Sequence, residues 1–216
     1  MIALGIDPGK LGGLAWIAHG GTVLRVEATP LIPGRGAGEY DLRMIRSMLI
    51  ERPGVRAFIE VLPDLPPGPQ FGGMKAARAR GVAEGWAWSC AMLQIPYELV
   101  SPKSWQRVML ADVPGDDTKA RSVLAAQRLF PMTDLRATPR CRKASDGIAD
   151  ALLIAEWGRR RLHAAPLQLG APYEGSAAPA RHRSQAAVEH RERPAAGAAR
   201  GQAPADEEPA TKPLPG

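Results

Sequence analysis

Four carboxylates fall where an unpaired charge is costly. Asp7 closes the apolar run IALGID and leads straight into Pro8 and Gly9. A carboxylate at a strand end beside a turn can face a ligand instead of the core, although Asp before Pro also starts many ordinary turns. Glu60 lies in or at the end of AFIEVL, a run apolar enough for a strand covered on both faces. An ionised carboxylate there must pair with a cation or ligate a metal, because its desolvation is otherwise prohibitive. An arginine partner is the plain alternative. Asp146 and Asp150 are four residues apart in DGIADALLIAEWGRRRL and so share one helix face. Like charges at that spacing cost an isolated helix about 0.2–0.5 kcal/mol. Asp146 also suits a helix start, but Asp150 stands among Ile148, Leu152 and Leu153, where a bare charge has no support. Glu156, further along, reads as a solvated residue.

A divalent cation relieves both the repulsion and the desolvation. The donor set is all oxygen, which suits Mg²⁺ or Mn²⁺ better than zinc. Two such ions about 3.5–4 Å apart activate a water and stabilise a leaving 3′-oxygen in an in-line displacement at phosphorus. Asp7, Glu60, Asp146 and Asp150 are therefore the expected metal-ligating and catalytic residues, with two ions per site.

The elements that must carry these acids alternate between strand and helix. Three short runs, 2–7, 12–18 and 22–28, are punctuated by glycines and predict an antiparallel meander. Residues 39–52 place Leu42, Ile45, Met48 and Leu49 at helical spacing. A strand over 55–62 ends near Glu60, an Ala-rich helix covers 75–93, and YELVSP makes a fifth strand. Helices are predicted from about Lys103, over 117–130 with Asp117 or Thr118 as cap, and from Asp146 onward with Ile148, Leu152, Ala155 and Trp157 or Leu153 inward. This order is that of the RNase H-like fold. The expected class is α/β, with a mixed five-stranded sheet, antiparallel in its first three strands and parallel thereafter, flanked by helices.

The 216 residues suit one domain with an appendage. Residues 164–216 are rich in Ala, Pro, Gly and charge without hydrophobic period, which predicts a disordered tail behind a folded body of residues 1–163. That tail holds six Lys/Arg and six Asp/Glu, so the whole net charge of +6 belongs to the body. A basic body suits a polyanionic partner, since each neutralised phosphate releases counterions. Two cysteines are too few for a thiolate zinc cage or a disulfide framework. Neither a signal peptide nor a membrane span is legible, so a cytoplasmic, reduced protein without membrane contact is expected.

Several ordered segments resemble the RuvC-type junction resolvases, especially the branch found in phages, large DNA viruses and some bacteria. They are GIDPGKLGGLA with Asp7, FIEVLPDLPPGPQ with Glu60, and FGGMKAARARGVAEGWAWSCAMLQIPYELVSPKSWQRVML with its Val100, Pro102 and Trp105 element. DTKARSVLAAQRLFP and KASDGIADALLIAEWGRR, the most specific, complete the set. The resemblance covers roughly residues 1–160. It implies a homodimer that binds a four-way (Holliday) DNA junction and nicks two strands symmetrically, leaving 5′-phosphates. Lys103, Lys119 and Lys143 then become candidates for phosphate contact, with Lys119 also a catalytic candidate that stabilises transition-state charge. Phe71 falls where some relatives carry an aromatic near the junction core. Arg78 and Arg80 are candidates for the DNA face, or their helix makes the dimer contact through its Ala-rich side bearing Trp86. The closing acids are four apart, where cellular RuvC has three, which leaves open which of the two binds metal directly.

The same fold also hosts nucleases of RNA–DNA hybrids, rRNA-processing factors, transposase cores and nucleases of general branched DNA. An actin-like or sugar-kinase-like ATPase shares the D-x-G hairpin but needs a second lobe. A non-catalytic DNA-binding module needs none of the four acids.

Overall fold

The structure, a computed structural model, describes residues 1–34, 38–62 and 73–164, with the side chains of 73–76 left aside. The expectations for Phe71 and for the tail beyond Ala164 lie outside the described residues.

Five strands form one sheet in the order β3-β2-β1-β6-β7. β1 (Ile2–Asp7) pairs antiparallel with β2 (Gly13–Ala18), and β2 with β3 (Val23–Ala28). On its other side β1 pairs in parallel with β6 (Val55–Glu60), and β6 in parallel with β7 (Tyr97–Val100). This is the mixed RNase H-like sheet expected from the sequence. A two-stranded hairpin, β4 (Leu31–Ile32) with β5 (Glu39–Tyr40), stands apart from it.

Alternation sorts the strand residues between two cores. Leu4, Ile6, Leu14, Trp16, Ala57 and Ile59 face one side and pack with α1 (Leu42–Ile50) and α2 (Gly73–Met92). Ala3, Ala15, Ile17, Phe58 and Val100 face the other and pack with α3 (Pro102–Met109), α4 (Thr118–Leu129) and α5 (Asp146–Ala164). By the same parity, Asp7 and Glu60 point to the α5 side, two residues beyond Gly5 and Phe58.

Helix α5 lies close on the sheet because glycines remove the side chains between them. A Cβ on Gly5 would come within 2.0 Å of the Ala151 carbonyl oxygen, and one on Gly147 within 2.1 Å of the Leu11 carbonyl oxygen. From Gly147 to Gly158, every residue except Asp150 is buried. Among the described residues no helix is long and apolar enough to cross a membrane.

Four expectations need correction. Residues 39 and 40 are strand, not helix: the Asp41 carboxylate accepts from Met44 N at 2.9 Å and starts α1 after the hairpin. Leu42 belongs to the apolar stripe of α1 but is 72% exposed, since it borders a groove of about 190 Å³ with Val82 and Trp86 instead of filling one. Trp86, expected on a contact side of α2, is buried in the core with Ala83, Ala87 and Cys90; Trp88 is the exposed tryptophan. Glu156 is buried, not solvated. Arg159 donates to both of its oxygens, at 2.7 and 2.8 Å, and Arg160 donates at 2.7 Å. Burial works against its charge, but the two guanidiniums hold the carboxyl below its ordinary range.

Candidate active site

Both acid-bearing strands end at the same edge of the sheet. The parallel ladder of β1 and β6 runs to the pair Ile6–Ile59, so Asp7 and Glu60 follow as the next residue on each strand. This is the carboxyl end of parallel strands, where α/β sheets leave an open crevice. Asp7 is held by the turn after it: its Oδ1 accepts from Gly9 N at 3.2 Å. That turn is tied from outside, as Thr29 Oγ1 donates to Gly9 O at 2.8 Å and Tyr40 Oη donates to Pro8 O at 3.2 Å. Burial raises the Asp7 pKa above its ordinary value; the Gly9 amide opposes this, the Asp146 charge adds to it, and the Lys119 charge opposes it.

Glu60 has one strong partner. The indole Nε1 of the fully buried Trp105 donates to Glu60 Oε2 at 2.6 Å. Desolvation nonetheless lifts Glu60 to about 7, with the Trp105 hydrogen bond pulling down and the charges of Asp7 and Asp150 pushing up. A buried Trp needs an acceptor for its N–H, and here the acceptor is a candidate metal ligand.

Helix α5 brings the other two acids. Asp146, in its first turn, takes Lys119 Nζ of α4 at 2.5 Å from Oδ2, and this contact holds its pKa below the ordinary value. Asp150, one turn deeper, is lifted to about 6, first by desolvation and then by the charges of Asp7 and Asp146. Its Oδ1 is buried with no hydrogen-bond partner. Ser122 on α4 pulls its pKa down, yet neither Ser122 Oγ nor Asp150 Oδ1 completes a well-formed hydrogen bond. The Ser122 hydroxyl acts on the carboxylate as a nearby dipole, and Oδ1 stays unsatisfied.

Asp7 couples electrostatically to Glu60, Asp146 and Asp150, and the exposed Lys119, paired with Asp146, also acts on Asp7 and Asp150. Among the described residues no three His, Cys, Asp or Glu side chains already stand as a closed ligand cage. The donor chemistry nevertheless fits a hard divalent cation: oxygen ligands, raised proton affinities in Asp7, Glu60 and Asp150, and one orphaned buried carboxylate oxygen.

The basic candidates divide. Lys119 joins the acids. Lys103 lines a groove between α3 and α4. Lys143 is exposed in the segment before α5. Arg78 and Arg80 lie on α2, across the sheet from α5, and Arg80 pairs with Glu84 at 3.0 Å. Sequence reasoning missed Tyr40, Ser122 and the role of Trp105. Only Trp105 left a signal, as an indole three residues past Pro102 that a buried position would oblige to find a partner.

Among solved structures, the chain is similar to Thermus thermophilus RuvC in complex with a Holliday junction substrate, at 19% identity and a TM-score of 0.46, covering 73% of this chain and 92% of that one. It is also similar to a second Thermus thermophilus RuvC structure, at 21% identity and a TM-score of 0.47, covering 76% and 97%. No protein-family model matches the chain, and no curated protein matches it in sequence.

Proposed function

We propose that this chain is a divalent-metal-dependent endonuclease that hydrolyses phosphodiester bonds in branched DNA, with the four-way junction as its first substrate, acting as a homodimer that makes paired, symmetric nicks. The observation that carries the reading is the convergence of Asp7, Glu60, Asp146 and Asp150 from β1, β6 and α5, with three of them holding protons more tightly than ordinary carboxyls. A structure built for stability alone would pair such groups with arginines, as Glu156 is paired. Here, among the described residues, the ion pair within the cluster is that of Lys119 with Asp146.

In this reading Asp7, Glu60 and Asp150 ligate Mg²⁺ or Mn²⁺, and Asp146 completes the set or orients Lys119. Divalent cations held there would supply a more acidic water and offset charge on the departing oxygen, chemistry that the carboxylate oxygens of these residues suit. Trp105 holds Glu60 in one rotamer and keeps its charge accessible. Lys119 stands 73% exposed at the mouth, where its ammonium can meet a non-bridging phosphate oxygen. Lys103 and the exposed Lys143 extend the contact to flanking phosphates, consistent with a basic body of residues 1–163.

The test is incubation of the purified protein with a labelled synthetic four-way junction, a matched duplex and an RNA–DNA hybrid, in Mg²⁺ or in EDTA, beside Asp7→Asn and Asp150→Asn. Paired nicks on the junction alone, lost in EDTA and in both variants, are expected. Cleavage of the hybrid instead overturns the substrate, and tight binding without cleavage in Mg²⁺ or Mn²⁺ overturns the enzyme.

A further inference from the structure

The turn that follows Asp7 is laced to the hairpin of β4 and β5. Tyr40 Oη donates to Pro8 O at 3.2 Å, and Lys10 Nζ donates to Gly38 O at 2.6 Å. Thr29, at the foot of the hairpin, donates through Oγ1 to Gly9 O at 2.8 Å. Tyr40 is itself fixed on several sides. It pairs with Leu31 across the hairpin, and the amide of the next residue, Asp41, donates to Pro30 O at 2.9 Å. Its ring packs on the core under α1 and α2, beside the groove that Leu42, Val82 and Trp86 line. A ring so anchored delivers its hydroxyl to one place.

The carbonyl that Tyr40 meets is one end of the peptide unit between Pro8 and Gly9. The other end of that unit is the Gly9 N–H, which donates to Asp7 Oδ1 at 3.2 Å. The unit is trans and planar, so its C=O and N–H point in opposite directions and turn as one body. Holding the carbonyl therefore aims the amide. A hydroxyl on the carbonyl also polarises the unit and strengthens its N–H as a donor. Thr29 has no such lever: Gly9 O belongs to the next peptide unit, and it already accepts from Gly12 N at 2.9 Å.

We infer that Tyr40 is a positioning residue for Asp7, acting through the Pro8–Gly9 peptide to hold the carboxylate in the rotamer that joins Glu60 and Asp150 on a divalent cation. This rests on the carboxylate metal site of the reading above. Outer partners of this kind set metal affinity because they decide how a ligand is presented.

The experiment is a calorimetric Mn²⁺ titration of the full chain without DNA, for the wild type, Tyr40→Phe and Thr29→Val. Junction cleavage is measured over the same range of Mn²⁺. Tyr40→Phe keeps the ring and removes only the hydroxyl. It is expected to raise the half-saturating Mn²⁺ concentration about ten-fold in both assays, while most of the cleavage rate returns at saturating Mn²⁺. Thr29→Val removes a hydroxyl from the neighbouring peptide, and it is expected to lower Tm while that concentration stays in place. Equal Mn²⁺ affinity in the wild type and Tyr40→Phe, or an equal shift in both variants, would mean that Tyr40 only braces the turn, and the nuclease reading would stand. If the wild type binds Mn²⁺ but cuts no junction, the calorimetric comparison still decides for or against Tyr40. A wild type that neither binds Mn²⁺ nor cuts removes the nuclease reading and this inference together.

Discussion

Trp105 and Glu60, 45 residues apart in the chain, meet through an indole N–H and a carboxylate oxygen 2.6 Å apart. The bond opposes the burial that otherwise lifts Glu60 to about 7. Trp105→Phe keeps most of the packing and removes the donor. Glu60 should then hold its proton to higher pH, and the acid limb of the activity profile should move alkaline. Activity is expected to drop by roughly ten-fold at pH 7 and to recover by pH 9. An equal loss at every pH would mean that the indole only packs.

Glu60 at about 7 and Asp150 at about 6 both bind protons more tightly folded than at their ordinary values of 4.5 and 3.8. Their contribution to stability is full below those ordinary values and is lost as pH rises through 6 to 7. Metal-free protein should therefore melt at progressively lower temperature across that window. A divalent cation must displace those protons, so the Mg²⁺-induced rise in Tm should be larger at pH 8 than at pH 6. Scanning fluorimetry at the two pH values checks this, and identical Mg²⁺ effects would contradict it.

Asp150→Asn removes a buried charge whose Oδ1 has no partner. Without metal the variant should melt higher than the wild type at pH 8, by about 2–4 °C for each kcal/mol of relief. It should also show no Mg²⁺-induced rise. Stabilisation together with lost activity would separate a ligand from a structural residue. A variant that melts lower would show that Asp150 supports the fold.

Lys119 is 73% exposed although it touches Asp146. Pairs so open to solvent contribute about 0–1 kcal/mol. Lys119→Met should leave Tm nearly unchanged while the cleavage rate falls by about 10²–10³-fold, the usual cost of removing one charge-stabilising donor. Lys119→Arg should restore part of the rate. A variant with wild-type turnover would remove Lys119 from the site.

Gly5→Ala tests how the site is assembled. The added methyl would meet the backbone of Ala151 and Ala155, at 2.0 and 2.4 Å, and backbone cannot rotate aside. The loss should reach or pass the upper end of the about 1–3 kcal/mol typical of overpacking. Gly20→Ala, with nothing within 4 Å of its Cβ, is the control. Equal denaturation midpoints for the two variants would show that α5 can move off the sheet freely.

What the chain reveals in advance depends on how far apart the interacting residues are. Asp7 beside Pro8 and Asp150 among Ile148, Leu152 and Leu153 carry their context within a few positions, and the succession of strands and helices along the chain follows from local periodicity. Tyr40 and Trp105 are tied to the acid-bearing segments across more than thirty residues of intervening chain, which no local pattern encodes. Glu156 shows the same limit from the other direction. Its arginines at 159 and 160 are legible as neighbours, but the surrounding core that makes that pairing obligatory comes from the fold. The stripe of α1 marks Leu42 with Ile45, Met48 and Leu49 as core and fails at Leu42, because periodicity gives a face and not the length of the neighbour covering it.

Helix α5 is enclosed for three turns between the sheet and the helices α3 and α4, and it carries two of the four acids. Amides in such an element exchange with solvent only when the whole domain opens. Partial denaturation that frays the edges should therefore leave Asp150, inside the enclosed stretch, in place. Thermal inactivation and global unfolding should coincide, with no intermediate that is folded but dead.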